Sequence, residues 1–214
     1  MSVRTLPPEF LTRLGIFVDP DFLDRDTCQR LRDEMVNVGG DLATVTVDLS
    51  EDKLDQGFRR TTIAEMSPAA VQLVEERLLQ EAPAVERHFA VELDGCERPQ
   101  FLLYREGDFI RRHSDGAQEA DAPAWLRQRA VSAVMFLNDQ RDDTHVDGAF
   151  AGGALTFYGL LADDPRGQAI GLPIQGAAGL LVAFRTDLVH AVTPVISGER
   201  CTAVTWYKAN REEV

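Results

Sequence analysis

Cysteine is scarce in this chain of 214 residues, and the three that occur are not spaced as pairs. Cys28, Cys96 and Cys201 form no Cys-x-x-Cys, which argues against a disulfide framework and favours a reducing, intracellular setting. Long apolar runs are also missing, since the longest, 176–184, is far too short to span a bilayer. No secretory signal is visible, because no basic stretch followed by an apolar run opens the chain. We therefore expect a cytoplasmic protein with no membrane partner.

Positive charge is in short supply too, with 22 lysine and arginine residues against 35 acidic residues and a net charge of −13. A nucleic-acid partner needs a basic surface that neutralises phosphates, so this balance argues against one. The apolar share of 44% and the charged share of 27% are those of an ordinary globular protein. The length favours a single domain over 1–214, and no pattern in the chain predicts its oligomeric state.

Two halves of different character make up this expected domain. Residues 1–99 hold the best helical patterns, 28–36 and 68–89, and Pro83 can break the second in two. Residues 100–208 carry short runs rich in aliphatic, aromatic and β-branched residues, separated by glycine, proline and acidic loops. Several such runs predict an all-β barrel or a double-sheet roll. The sequence thus predicts a mostly β, α+β fold in which the first half is a helical support.

The most informative motif is His113-Ser114-Asp115, with His190 far downstream. On an extended segment, residues i and i+2 point to the same side, so the imidazole and the carboxylate can reach one ion. Two histidines and one carboxylate on one face of a metal, with other positions open, are typical of non-haem Fe(II) oxygenases. The open positions matter because a co-substrate and dioxygen must bind together.

A second HxD, His145-Val146-Asp147, competes for the ligand role. It lies in an acidic, loop-like stretch, so we expect it at the mouth of the site or without a specific role. The plainer alternatives are a solvated histidine with a capping aspartate at 113–115 and a buried structural histidine at His190. A catalytic zinc site has little support, because the sequence contains no HExxH-type pair.

Arg200 lies ten residues after His190, and Thr202 shares its face of the expected strand. A planar guanidinium binds a carboxylate through two parallel hydrogen bonds. An arginine buried in the roll would be costly without an anion. The pair therefore predicts a binding site for a carboxylate of the co-substrate.

Several segments, taken in order, resemble one known family. Residues 104–115 resemble the first metal-binding segment of the prolyl-4-hydroxylase-like branch of the 2-oxoglutarate/Fe(II) dioxygenases. The later segments are Phe136-Leu137-Asn138, the Gly-Gly strand from Gly152-Gly153 to Phe157, the distal segment 190–202, and Trp206 at the end of the closing strand. Each piece alone is weak, but together and in this order they are a strong signal over about residues 100–207.

The resemblance implies a double-stranded β-helix core, which is a jelly-roll or cupin-like fold. It also implies Fe(II), dioxygen, and 2-oxoglutarate that is converted to succinate and carbon dioxide, with ascorbate as a candidate reductant. It assigns the metal to His113, Asp115 and His190, and the co-substrate to Arg200, Thr202 and Tyr104. Related halogenases lack the carboxylate at the position of Asp115, so its presence favours hydroxylation of an unactivated C–H bond.

The sequence leaves the prime substrate open. A prolyl or peptidyl group and a small amino-acid-like molecule fit equally, and a biosynthetic hydroxylase of an unrelated small molecule is an alternative. A non-catalytic metal-binding β-roll is a further alternative, although a structural metal site would not need Arg200. Arg59, Arg60 and Trp206 are candidate substrate contacts, with a solvated face and a core wall as their plainer interpretations.

Overall fold

The computed structural model of the protein describes residues 7–43, 45–47, 51–53, 55–117, 122–141, 146–160 and 169–209. Its helices are Pro8–Arg13 (α1), Arg25–Val38 (α2), Pro68–Phe89 (α3) and Ala124–Gln128 (α4). None of these described helices is both long enough and apolar enough to cross a membrane.

Strands form most of the regular structure, as the sequence predicts. In the first part of the chain they are Ile16–Asp19 (β1), Gly40–Leu42 (β2), Val45–Val47 (β3), Glu51–Lys53 (β4), Arg59–Arg60 (β5), Thr62–Ala64 (β6) and Gln100–Tyr104 (β7). In the second part they are Phe109–His113 (β8), Arg129–Phe136 (β9), Phe150–Gly152 (β10), Leu155–Phe157 (β11), Leu172–Ile174 (β12), Leu181–Arg185 (β13), His190–Val192 (β14), Val195–Gly198 (β15) and Arg200–Lys208 (β16).

Two antiparallel sheets build the core of the roll. The larger has the strand order β1-β13-β9-β16-β7-β6-β2, and the smaller has the order β12-β11-β14-β8-β5. The pairs β10-β15 and β3-β4 lie outside them. Residues 1–99 therefore supply strands to both sheets, through β1, β2 and β6 on one side and β5 on the other, in addition to the helices.

The side chains of the larger sheet divide between two cores, because successive residues of a strand point to opposite faces. On one face, Leu103 and Ala203 join a cluster with the buried residues of α2 and α3. On the other face, Phe136 and Val182 join the core between the sheets, together with Phe157 of the smaller sheet. The sheet is thus covered on both sides, which explains why its strands read as continuous apolar runs.

Helix α3 passes through Pro83 without a break, so the division that this proline could have caused does not occur. The proline removes one backbone hydrogen bond, but its ring lies on the exposed side of the helix. Leu78 and Val85, one on either side of it, are fully buried in the core beneath the large sheet. We infer that this packing keeps the helix continuous across the proline.

Candidate active site

The two histidines of the motif meet across neighbouring strands. His113 ends β8, His190 begins β14, and their Cα atoms are partners in the antiparallel register. Asp115 follows two residues later, where its backbone N–H donates to the carbonyl of Thr186 at 2.8 Å. The potential ligand atoms of the three side chains lie within 4.8 Å of one another. The fold therefore brings together the three residues that the sequence pattern selects.

Backbone carbonyls orient both imidazoles. His113 Nδ1 lies 2.8 Å from the carbonyl oxygen of Arg111, and His190 Nδ1 lies 2.9 Å from that of Leu188. A carbonyl can only accept, so each Nδ1 carries the proton and each Nε2 keeps a free lone pair. These Nε2 atoms lie 3.3 Å and 3.5 Å from the two carboxylate oxygens of Asp115. Two nitrogen donors and one oxygen donor facing a common point suit a divalent iron.

Asp115 is held in its negative form. Burial by itself would raise the pKa of this carboxyl, but the two imidazoles and a 2.7 Å hydrogen bond from Ser132 Oγ hold it well below its ordinary value. Burial lowers the pKa of His190, whereas at His113 the contact with Asp115 outweighs burial and raises the pKa. Divalent metal binding requires a negative carboxylate and neutral imidazoles, because protons compete for the same lone pairs.

The triad opens into a cavity of about 70 Å³ between the two sheets. One water molecule needs roughly 10–15 Å³ by the same measure, so the space accepts a small ligand. Its apolar walls are Leu102, Ile110, Val134, Leu155, Val192 and Val204. The polar groups that line it are few, and they include Arg59, Tyr104, Arg200 and Trp206 as well as the triad and Ser132.

Arg200 reaches this cavity from β16 and is only 1% exposed. One guanidinium nitrogen donates to Thr202 Oγ1 at 3.1 Å, and the group lies 4.7 Å from the ring centre of Tyr104. Its Nε has no hydrogen-bond partner among the residues that the structure describes, and burial lowers the pKa of this arginine from its ordinary value. A buried cation in this state needs an anion for stability, which a carboxylate in the cavity would supply. The structure thus brings Arg200, Thr202 and Tyr104 together.

Two adjacent glycines allow close packing beside that arginine. At Gly153, with φ +57°, a Cβ would lie 3.0 Å from Arg200 Cδ, and at Gly152, with φ +70°, it would lie 2.4 Å from the Pro194 carbonyl oxygen. Both backbone conformations favour glycine. The Gly-Gly pair in the sequence therefore has a local cause, which is the close approach of β15 and of the Arg200 side chain.

The three candidate substrate contacts have different surroundings. Arg59 and Trp206 line the cavity, whereas Arg60 does not. Arg60 Nε donates to Asp108 at 2.8 Å, and its terminal nitrogen donates to the carbonyl of Gly107. The second HxD cannot be placed in full, because His145 lies outside the described residues; Asp147 is exposed.

Sequence reasoning missed three side chains that support the site. Ser132 binds Asp115, and its only signal is a hydroxyl inside the otherwise apolar run 130–136. Arg129 forms two hydrogen bonds to Glu97 and stacks 3.6 Å from the ring centre of Trp206, which fixes that indole. These contacts join residues far apart in the sequence, so spacing rules could not reveal them.

Known protein families and solved structures include relatives of this chain. The profile of the 2OG-Fe(II) oxygenase superfamily matches residues 99–208. A PKHD-type hydroxylase of Shewanella oneidensis is 33% identical over 111 residues, which are 52% of this chain but only 42% of that protein. A Pseudomonas putida prolyl-4-hydroxylase structure has a TM-score of 0.67 at 25% identity, over 94% of this chain and 96% of that one. A prolyl hydroxylase from Trichoplax adhaerens, at 16% identity and a TM-score of 0.69 over 95% and 87% of the two chains, shares the fold.

Proposed function

The chain belongs to the 2OG-Fe(II) oxygenase superfamily, and from this membership we propose that it is a dioxygenase that hydroxylates an unactivated C–H bond. The expected substrate is a prolyl, peptidyl or small amino-acid-like group, and 2-oxoglutarate is converted to succinate and carbon dioxide. The observation that carries the proposal is one cavity with two different polar ends. One end has three metal-ligand side chains within 4.8 Å, and the other has a buried arginine whose Nε has no hydrogen-bond partner among the described residues.

Each polar residue has a defined task in this proposal. His113 and His190 would hold Fe(II) through Nε2, and Asp115 would hold it through its carboxylate. Arg200 would bind the far carboxylate of 2-oxoglutarate, with Thr202 and Tyr104 fixing the guanidinium. Bound iron supplies the oxidative chemistry, which no amino-acid side chain can perform. The apolar walls exclude water and so protect the reacting groups.

Asp115 also bears on the type of oxidation. Its carboxylate occupies the position that related halogenases leave free for chloride, so we propose hydroxylation or a related oxidation. The Ser132 hydrogen bond keeps this carboxylate turned toward the two imidazoles. Ascorbate as the reductant and a cytoplasmic location remain predictions. So does the expectation that the substrate is a small molecule or a peptide, with no nucleic-acid or membrane partner.

The test is a titration of 2-oxoglutarate into Fe(II)-loaded protein without oxygen. Chelation of the iron by the 2-oxoacid gives a weak visible charge-transfer band, and we expect this band to saturate in the wild-type protein. His113→Ala should abolish the band because it removes a metal ligand. Arg200→Ala should keep the band but require more 2-oxoglutarate, because only the distant carboxylate loses its partner.

His145→Ala is the matched control, since it removes a histidine from the competing HxD. An unchanged titration in this variant assigns the iron to His113 instead. If the iron-loaded wild-type protein gives no band at any concentration of 2-oxoglutarate, the dioxygenase proposal fails. A metal-binding β-roll without catalysis would then be the better description.

A further inference from the structure

Three buried nitrogen donors in the described part of the chain have no hydrogen-bond partner: Arg59 Nε, Arg200 Nε and Trp206 Nε1. All three residues line the cavity that contains the triad. Buried polar groups in folded proteins nearly always have partners, so donors left free in one cavity indicate a ligand that completes them. In the proposed function, the co-substrate supplies a partner for Arg200. It supplies none for Arg59 and Trp206.

Arg59 differs from its neighbour on the same short strand. Arg60 forms an ion pair with Asp108, whereas the half-buried Arg59 side chain has neither a hydrogen bond nor an ion pair with any described residue. A guanidinium is always charged and strongly favours a planar anion that can accept two hydrogen bonds. Its position in the cavity wall thus leaves one cation available to a ligand.

Arg59 and Trp206 each lie on a strand paired with one that contributes to the triad or its support. Arg59 is the register partner of Ile110 on β8, the strand that ends at His113. Trp206 is the partner of Ser132, whose hydroxyl binds Asp115. Arg200 begins the same strand β16, six residues before Trp206, which separates the two backbones by about 20 Å. Trp206 therefore lies on the side of the metal site away from Arg200, whereas Arg59 lies on the strand next to the one that ends at His113.

The charges that line the cavity, counted over the described residues, do not balance. They are one negative side chain, Asp115, and two positive ones, Arg59 and Arg200. Fe(II) would add two positive charges, which brings the total to three, and 2-oxoglutarate removes two. One positive charge is left over, in a protein whose overall net charge is −13. A substrate carboxylate placed in the cavity would compensate this charge.

We propose that Arg59 and the indole N–H of Trp206 bind a carboxylate of the substrate, so that the enzyme acts on a free amino-acid-like carboxylic acid. An internal peptide residue would offer Trp206 a carbonyl oxygen but would leave the guanidinium charge unpaired. This inference rests on the proposed function, because the hydroxylated carbon must lie beside the metal. It assigns substrate selection to the wall formed by β5 and the end of β16.

The test measures binding to Fe(II)-loaded protein with saturating 2-oxoglutarate and no oxygen, by calorimetry. The probes are the common L-amino acids, each as the free acid and as its C-terminal amide. We expect at least one free acid to bind more tightly than its amide by about tenfold or more, because the amide lacks the charge. Arg59→Met should remove this preference, and Trp206→Phe, which keeps the ring but loses the N–H, should weaken binding of the same acid several-fold.

Arg60→Met is the matched control, since it removes the same charge from the adjacent position and should leave the acid preference intact. The affinity for 2-oxoglutarate should not change in Arg59→Met. The proposal is overturned if no free acid binds or if each acid and its amide bind with equal affinity. It is also overturned if Arg59→Met weakens the binding of 2-oxoglutarate instead of the binding of the acid. In each case 2-oxoglutarate binding that depends on Arg200 would still support the dioxygenase proposal, so the two failures are distinguishable.

Discussion

Ser132 Oγ donates a 2.7 Å hydrogen bond to Oδ2 of Asp115, the carboxylate oxygen that lies 3.5 Å from His190 Nε2. The hydroxyl comes from β9 of the large sheet, whereas both histidines lie on the small sheet. This bond therefore joins the two sheets at the triad. It also limits rotation of the carboxylate, which positions the ligand before a metal binds.

Ser132→Ala should weaken Fe(II) binding by about 10- to 100-fold, the usual effect of losing a hydrogen bond to a metal ligand. The reason is that the freed carboxylate rotates and loses part of its alignment with the imidazoles. The measurement is an anaerobic Fe(II) titration. Ser197→Ala, on β15 and partly exposed, is the control and should bind Fe(II) normally. Equal affinities in the two variants would show that the Ser132 bond is not needed.

Thr202→Val should raise the dissociation constant for 2-oxoglutarate about three- to tenfold, since Thr202 acts on the co-substrate only through the orientation of Arg200 and a typical hydrogen bond contributes roughly 0.5–1.5 kcal/mol. Thr202 Oγ1 accepts from Arg200 and so fixes the direction of the guanidinium. The anaerobic charge-transfer titration measures this change. Thr61→Val also removes a buried hydroxyl, but one that donates to the Leu103 carbonyl, and should leave co-substrate affinity unchanged. A loss of affinity in both variants would indicate a general loosening of the roll.

Asn138→Ala should lower the free energy of unfolding by about 2–4 kcal/mol, because it removes three hydrogen bonds and leaves the N–H of the buried Cys201 without its partner. The Asn138 amide donates to the carbonyls of Gly148 and Glu199, at 2.9 and 2.7 Å, and its oxygen accepts from the N–H of Cys201 at 3.0 Å. Urea denaturation measures the change. Asn37→Ala, at an exposed position of α2, should have little effect. A loss below 1 kcal/mol at Asn138 would contradict this role.

Pro83→Ala should raise the free energy of unfolding by about 1–3 kcal/mol, because alanine restores the missing N–H inside α3 and suits a helix better. The exposed ring makes no buried contact that the substitution would lose. Pro68→Ala in the same helix is the comparison. Pro68 lies in the first turn, where proline is favourable, so no gain is expected there. The free energies of unfolding can be measured by thermal or urea denaturation. A larger gain in stability for Pro68→Ala than for Pro83→Ala would refute the idea that Pro83 destabilises α3.

The amino-acid order was enough to predict the β-rich fold and to select the site residues that the structure brings together. Alternation along a strand is a local rule, and the Arg200-x-Thr202 spacing inside β16 follows it. Asp115 lies just beyond the end of β8, so its position beside His113 also depends on the bond from its backbone N–H to Thr186. The sequence could not rank Arg59 against Arg60, because the two are identical in type and adjacent. Only the fold shows that one is paired with Asp108 and the other faces the cavity.

Local spacing thus determined which side chains share a face, and tertiary structure decided which faces meet. The register of β8 against β14 brings His190 to His113, and the approach of the two sheets brings Ser132 to Asp115. The continuity of α3 through Pro83 likewise depends on the core beneath it. These outcomes come from burial and from the pairing of distant strands, which together outweigh local conformational preferences. Residues that meet in this way have no fixed spacing in the sequence, so a sequence pattern cannot reveal them.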